Sequence, residues 1–310
     1  MSLLDLYQVV AERAVWFLFL TVPSAAVVWC MVRIVRLSAP QRVLFLRLML
    51  AKATIVDLPL ALVGAGNSVP ARTVEQWIDR VPVLWLVGSV HCAALIGAAG
   101  VTRWALAWRQ GELFAKLAKP GQDTATGVAV GAISGLPGPV AWRKSILVPA
   151  EGWSELEVRH ELSHVQHGDT AWNASMSLAC SALWWNPAIV LLHRELQFWH
   201  EVRADEEAVD GAPEQKKLLA DQILKSSSHG PALTLQLSSA GRLIRRRVKH
   251  LFSAASPEAS KSMLILLVLV CLGTSPVTYL RFFQHKYPSV RVTSPRSETP
   301  VATRMPARLK

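Results

Sequence analysis

His160-Glu161-Leu162-Ser163-His164 is the segment whose residue types and spacing could do chemistry. On a helix, His160 and His164 lie one turn apart on one face, so both imidazoles can bind one Zn²⁺. Glu161 sits beside that face, where it can take a proton from a water at the metal. A zinc site that works on substrates takes three protein ligands and keeps one position for water. A third histidine at metzincin-type spacing is absent, because His167 and Thr170 stand where that pattern needs Gly and His. Glu201, in Glu201-Val202-Arg203-Ala204-Asp205, is the better third ligand. Asp205 is i,i+4 from it and shares its helix face. There it would accept a hydrogen bond from a ligand histidine and fix its tautomer.

The elements that must position these residues are legible around them. Ser154-Glu155-Leu156-Glu157 reads as a capping box that starts the first helix, and Gly168 offers its stop. Asn186-Pro187 marks the N-cap and first position of the second helix, with Gly211 as its stop. Ala204 and Ala208 are small enough to let two helices approach closely. A His-Glu-x-x-His string alone also arises as a surface coincidence; the downstream glutamate and aspartate favour a site. His167, His193 and His200 read as solvated or structural, and Glu206 and Glu207 as a wet helix face.

Half of the 310 residues are hydrophobic (51%) and the mean hydropathy is +0.29, which points to a membrane protein. Residues 14–32 carry no charge between Arg13 and Arg33, residues 81–102 none between Arg80 and Arg103, and residues 263–281 form a third apolar run after Lys261. Residues 43–66 are interrupted by Arg47, Lys52 and Asp57. We expect Arg47 at an interface and Lys52 paired with Asp57 or with other helices; an amphipathic, partly buried helix is the alternative. The first apolar segment lacks a basic start and a small-residue cleavage site, so it reads as a retained anchor.

Lys and Arg gather between the first two spans (Arg33, Arg36, Arg42) and after the third (Arg103, Arg109, Lys116, Lys119). The positive-inside rule then puts the N-terminus outside and the 103–262 loop in the cytoplasm. The basic tail after Arg281 runs against this orientation. The net charge of +11 is spread along membrane edges and no nucleic-acid motif occurs, so anionic lipid is the expected partner, not nucleic acid. Cys30, Cys92, Cys180 and Cys271 lie in apolar segments without metal-ligand spacing and read as small buried hydrophobes.

Within the loop, residues 127–133, 135–142 and 145–149 read as short strands between Gly/Pro turns. An edge strand beside a metal can bind an extended substrate backbone by strand addition; a structural hairpin covering the site is the plain alternative. Residues 170–185 are apolar but short for a span, and Trp184-Trp185 resembles an interfacial belt. Residues 243–252, with Arg245, Arg246, Arg247 and Lys249, read as a basic amphipathic helix on the inner leaflet or as a solvated charge run. The tail, 282–310, reads as disordered.

Taken together, Pro149, the His160-to-His164 string with Asp169 five residues on, Asn186-Pro187 and Glu201-x-x-Ala204-Asp205 resemble the BlaR/MecR-type integral-membrane zinc metallopeptidases, over roughly residues 1–285. The resemblance implies a gluzincin-like zinc peptidase domain, with His160, His164 and Glu201 as Zn²⁺ ligands and Glu161 as catalytic base. Best-known members add a C-terminal penicillin-binding sensor; this chain has a short tail after its last apolar run and no Ser-x-x-Lys motif. A signal would then come through a separate sensor partner, the 67–80 loop or the bilayer.

These observations set the expectation of a mainly α, multi-pass membrane protein with a small β-hairpin or sheet element. Residues 1–102 hold three spans (14–32, 43–66, 81–102), 103–262 form a cytoplasmic peptidase domain, 263–281 a fourth span and 282–310 a tail. The expected activity is zinc-dependent cleavage of a protein or peptide at the cytoplasmic (inner) membrane, in regulatory proteolysis of a repressor-like target. General membrane-protein quality control, or a non-enzymatic scaffold that retains the metal, are the alternatives. Glu161 argues against the scaffold, since a structural metal needs no base.

Overall fold

A computed structural model describes residues 3–63, 83–120, 127–136, 138–228 and 234–253, with isolated positions between 259 and 269. The 67–80 loop and the 282–310 tail lie outside the described residues, as do Cys271 and most of the expected 263–281 span.

The chain is mainly helical with a small sheet. Helix α1 (Leu3–Ile34) is followed by α2 (Ala39–Ala51), a π-helical turn (Lys52–Asp57) and α3 (Leu58–Val63). Helix α4 (Val83–Leu117) runs unbroken through residue 102 and absorbs the amphipathic stretch after it. Two helices are long and apolar enough to cross a membrane among the described residues, Leu6–Ile34 and Val87–Leu117. The second turns its apolar residues outwards, with Leu95 71% exposed, Leu106 55% and Leu117 73%. Exposed apolar side chains gathered along one helix are the kind of surface that meets a membrane or a partner. Cys30 and Cys92 also face outwards on α1 and α4, contrary to their expected burial.

Lys52 Nζ pairs with Asp57 at 3.0 and 2.8 Å, both side chains buried. In a regular α-helix residues five apart diverge by about 140° around the axis. The wider π turn brings them round to one side, which is why this charged interruption can be buried.

Four strands follow: β1 (Lys119–Pro120), β2 (Ala129–Ile133), β3 (Val140–Trp142) and β4 (Ser145–Pro149). Their order in the sheet is β1-β2-β4-β3, with β4 parallel to β2 and antiparallel to β3. The central β4 is buried through Ile146, Leu147 and Val148, whereas β3 is an edge. Trp142 of β3 contacts Trp108 of α4 at 5.0 Å between centroids, and Trp108 stacks on Trp104. Gly111 lies under the Trp142 ring, where an added Cβ would come within 2.2 Å.

Next come α5 (Glu155–Gln166), α6 (Asp169–Ala182), α7 (Pro187–Val209), α8 (Pro213–Ser228) and α9 (Thr234–Leu251). Helix α7 is the spine, packing against α1, α2, α5, α6, α8 and α9. Its Ile189, Leu192, Leu196, Phe198 and Val202 share one core with Trp16, Phe17 and Leu20 of α1 and Phe45, Leu46 and Leu50 of α2. Its exposed stripe runs through Leu191, Arg194, Gln197, Glu206 and Glu207, while the buried remainder carries His193, Glu195 and the polar site residues among apolar side chains. Asn186 caps it, accepting from Ala188 N at 3.0 Å, and its amide donates to Thr21 Oγ1 of α1 at 2.9 Å. The helix that carries Glu201 is thus tied at its start to an apolar helix of the N-terminal region.

Candidate metal centre

Helix α5 begins where the capping box predicts. Ser154 Oγ accepts from Glu157 N at 3.2 Å, and Glu157 Oε2 accepts from Ser154 N at 2.9 Å. Such caps are worth about 1 kcal/mol each. Gly168, at φ +64°, lets the chain turn directly into α6. Helix α7 ends at Asp210 and Gly211, both left-handed. On α7, Ala204 and Ala208 are fully buried, which lets α5 and α7 lie close and bring their polar faces together.

The Nε2 atoms of His160 and His164 are 3.3 Å apart. Glu201 faces them, Oε2 at 3.5 Å from His160 and Oε1 at 3.6 Å from His164. One ligand atom from each of the three residues lies within 4.8 Å of the others, so the group could hold a metal ion. The Nδ1 atoms are already engaged. His164 Nδ1 donates to Asp169 Oδ2 at 2.8 Å. His160 Nδ1 lies 3.0 Å from Asp205 Oδ1, an ion-pair contact whose N–H direction is off the hydrogen-bond line. With Nδ1 directed at a carboxylate, each ring keeps its Nε2 lone pair for the shared point. The donor set therefore fits a cation.

Burial opposes a charged His160, yet Asp205 and Glu201 outweigh it and raise its pKa to about 10. Burial also disfavours charge on Glu201, but His160, Arg247 and His164 overcome it and hold its carboxyl below the usual range.

Glu161 does not join the three. Its Oε2 accepts from the backbone N–H of Ala141 on β3 at 2.6 Å. Burial pushes its pKa up, partly offset by His160, His164 and that N–H. A raised carboxyl suits a base working near neutrality. These groups line an open cleft of about 200 Å³ together with Val140, Thr170 and Asn173.

The contacts of several residues named from the sequence escaped that reading. Asp169 is fully buried and accepts from His164, from Arg203 at 2.6 and 2.7 Å, and from Arg47. His200 Nε2 is 3.4 Å from it, and burial drives the His200 pKa down to about 3. Arg47, expected at an interface, instead turns inwards and also donates to the His167 carbonyl. Arg246 and Arg247 likewise leave the expected basic surface: Arg246 pairs with Glu195, and Arg247 with Glu201 and Asp205. Only Arg245 and Lys249 of that run stay exposed. Helical angle was the available signal, since neighbours in a helix point about 100° apart and one run can serve two faces. His167, half-exposed, and His200, buried, stand outside the ligand group, as expected.

A family model described as BlaR1 peptidase M56 matches residues 6–251, a stretch that holds the whole histidine and carboxylate cluster and both apolar helices. No curated protein matches the chain. The chain therefore belongs to the BlaR1 peptidase M56 family, and is a membrane-associated peptidase of metallopeptidase type.

Proposed function

We propose that this protein is a multi-pass, zinc-dependent endopeptidase of the cytoplasmic membrane. Its proposed role is regulatory cleavage of a cytoplasmic or juxtamembrane protein, repressor-like in kind. The observation that carries the reading is Glu161 poised beside the His160, His164 and Glu201 donor set while touching the edge strand β3. In this proposal the peptidase part is gluzincin-like, residues 43–66 and 263–281 add further spans, and Lys/Arg placement sets the 103–262 region in the cytoplasm.

A zinc ion held by His160, His164 and Glu201 would supply Lewis acidity toward a water and the scissile carbonyl. The chain's own groups do the rest. Ala141 pairs with Ile146 but directs its N–H away from β4 to Glu161, so Glu161 sits on the outer edge of β3. An extended substrate lying along that edge, next to Glu161, would place its backbone beside the cleft. Glu161 then accepts the water's proton and passes it to the leaving amine. Asp169 and Asp205 hold the histidine tautomers throughout.

The test is Glu161→Gln in the full chain in liposomes. Cleavage should fall by about 10²–10⁴-fold with metal content unchanged. Parental cleavage by the metal-loaded variant would overturn the mechanism. The same variant serves as a trap: one captured protein supports regulation, and many unrelated membrane clients would replace it with quality control. Reporter fusions near Asp123 and near Gly66 should lie on opposite sides, and an extracytoplasmic Asp123 would remove the cytoplasmic target.

A further inference from the structure

We propose that Asn173 is a substrate-binding residue, whose side-chain amide nitrogen donates a hydrogen bond to a backbone carbonyl of the peptide in the cleft. This rests on the peptidase reading above and names a residue that holds its substrate. Helix α6 lines the cleft with Thr170 and Asn173, three residues apart on one helix face, while β3 contributes Val140 and Ala141. A peptide that enters the cleft loses water from its carbonyls, and the cleft must supply donors in exchange.

The other side-chain donors along the cleft are already engaged. The Thr170 hydroxyl donates to the Arg143 carbonyl at 3.2 Å, which ties α6 to the turn after β3. His164 and His160 direct Nδ1 at Asp169 and Asp205. Asn173 is different: only its oxygen is used, by His200, and among the described residues its Nδ2 donates to nothing.

His200 fixes which way that amide faces. Its Nε2 lies 3.2 Å from Arg47 Nη2, and a guanidinium only donates. Nε2 is therefore the acceptor, and Nδ1 carries the ring proton. The Asn173 atom 3.2 Å from Nδ1 must then be the oxygen, which accepts that proton and turns the NH₂ group away from the ring. His200 is fully buried, whereas Asn173 is only partly so. The interior thus sets the orientation of a donor that sits at the cleft. A donor held in place before substrate arrives needs no reorganisation when it binds.

The experiment compares kcat/KM on fluorescein-labelled casein for the full chain in detergent, loaded with zinc and normalised to bound metal. Asn173→Ala removes the donor without adding charge. Asn173→Asp removes the donor but keeps an acceptor for His200 and the size of the side chain. The loss they share is the amide N–H. We expect both to lower kcat/KM by about 10–100-fold, the cost of leaving a carbonyl without its partner, with metal content and melting temperature near the parental values. If Asn173→Ala does not survive purification, Asn173→Asp alone decides. Parental kcat/KM in zinc-loaded Asn173→Asp would overturn the inference, and a loss confined to Asn173→Ala would leave Asn173 only as the acceptor for His200. A zinc-loaded parent that leaves casein intact would count against the peptidase reading, and the inference would fall with it.

Discussion

Asp169 lets the energetics of the centre be tested apart from its catalysis. Its carboxylate is buried and meets Arg203 at 2.6 and 2.7 Å, His164 at 2.8 Å and Arg47. Asp169→Asn keeps an acceptor for His164 but removes the charge facing two guanidinium groups. Removing one partner of a buried ion pair costs about 3–5 kcal/mol. The titration gives a second measure. Burial alone would raise the Asp169 pKa, but His164, His200 and Arg203 outweigh it and bring it to about 2 from the ordinary 3.8. At about 1.4 kcal/mol per pKa unit this is about 2–3 kcal/mol of net stabilisation. It is the smaller figure because burial is already subtracted. Asp169→Asn should therefore lose about 2–5 kcal/mol while keeping most of its metal affinity. Asp169→Ala should lose as much stability and also bind metal about 10–100-fold more weakly, because His164 loses its tautomer-setting partner. The assay is unfolding in mixed detergent micelles followed by tryptophan fluorescence, with chelator competition for the metal. An Asp169→Asn chain as stable as the parent would refute the ion-pair reasoning. Equal metal loss in both variants would refute the separation of charge from hydrogen bond.

Gly111→Ala places a methyl group against the Trp142 ring, within 2.2 Å of its atoms, so β3 or the ring must shift. We expect a stability loss of about 1–3 kcal/mol and a higher KM with kcat less affected, measured on a peptide substrate. Glu195 accepts from Arg246 and from Trp199 Nε1; burial raises its pKa, but these partners overcome it and the carboxyl is held low. A depressed carboxyl stabilises fully above its unfolded pKa and loses this as pH falls through the folded one. The melting difference between parent and Glu195→Gln should be largest near neutrality and close in acid; a constant difference would contradict the pairing. His160→Ala, His164→Ala and Glu201→Ala should each lose bound metal on elemental analysis while His167→Ala keeps it, and full retention in Glu201→Ala would remove Glu201 from the ligand set.

The sequence alone determined what is local along the chain. The i,i+4 histidines, the Ser154 capping box and the Asn186-Pro187 start all stand in the structure as read, because helix geometry and capping act within a single turn. That Glu201 and Asp205 share one helix face was legible for the same reason, and so was the sheet ahead of α5, since Gly and Pro turns mark strand ends. Only the tertiary structure decided what lies across the chain from these residues. Ala141 reaches Glu161 because β3 crosses to the edge of the sheet, a step no alternation of residues announces. Asp169 had its place in the motif but gained its role only when α2 and α7 brought Arg47 and Arg203 against it. Arg246 and Arg247 looked like one basic surface, because composition sums charges while a helix separates neighbours by angle. A buried carboxylate recruits whichever cation the fold delivers, and that choice is made by packing between elements far apart in sequence.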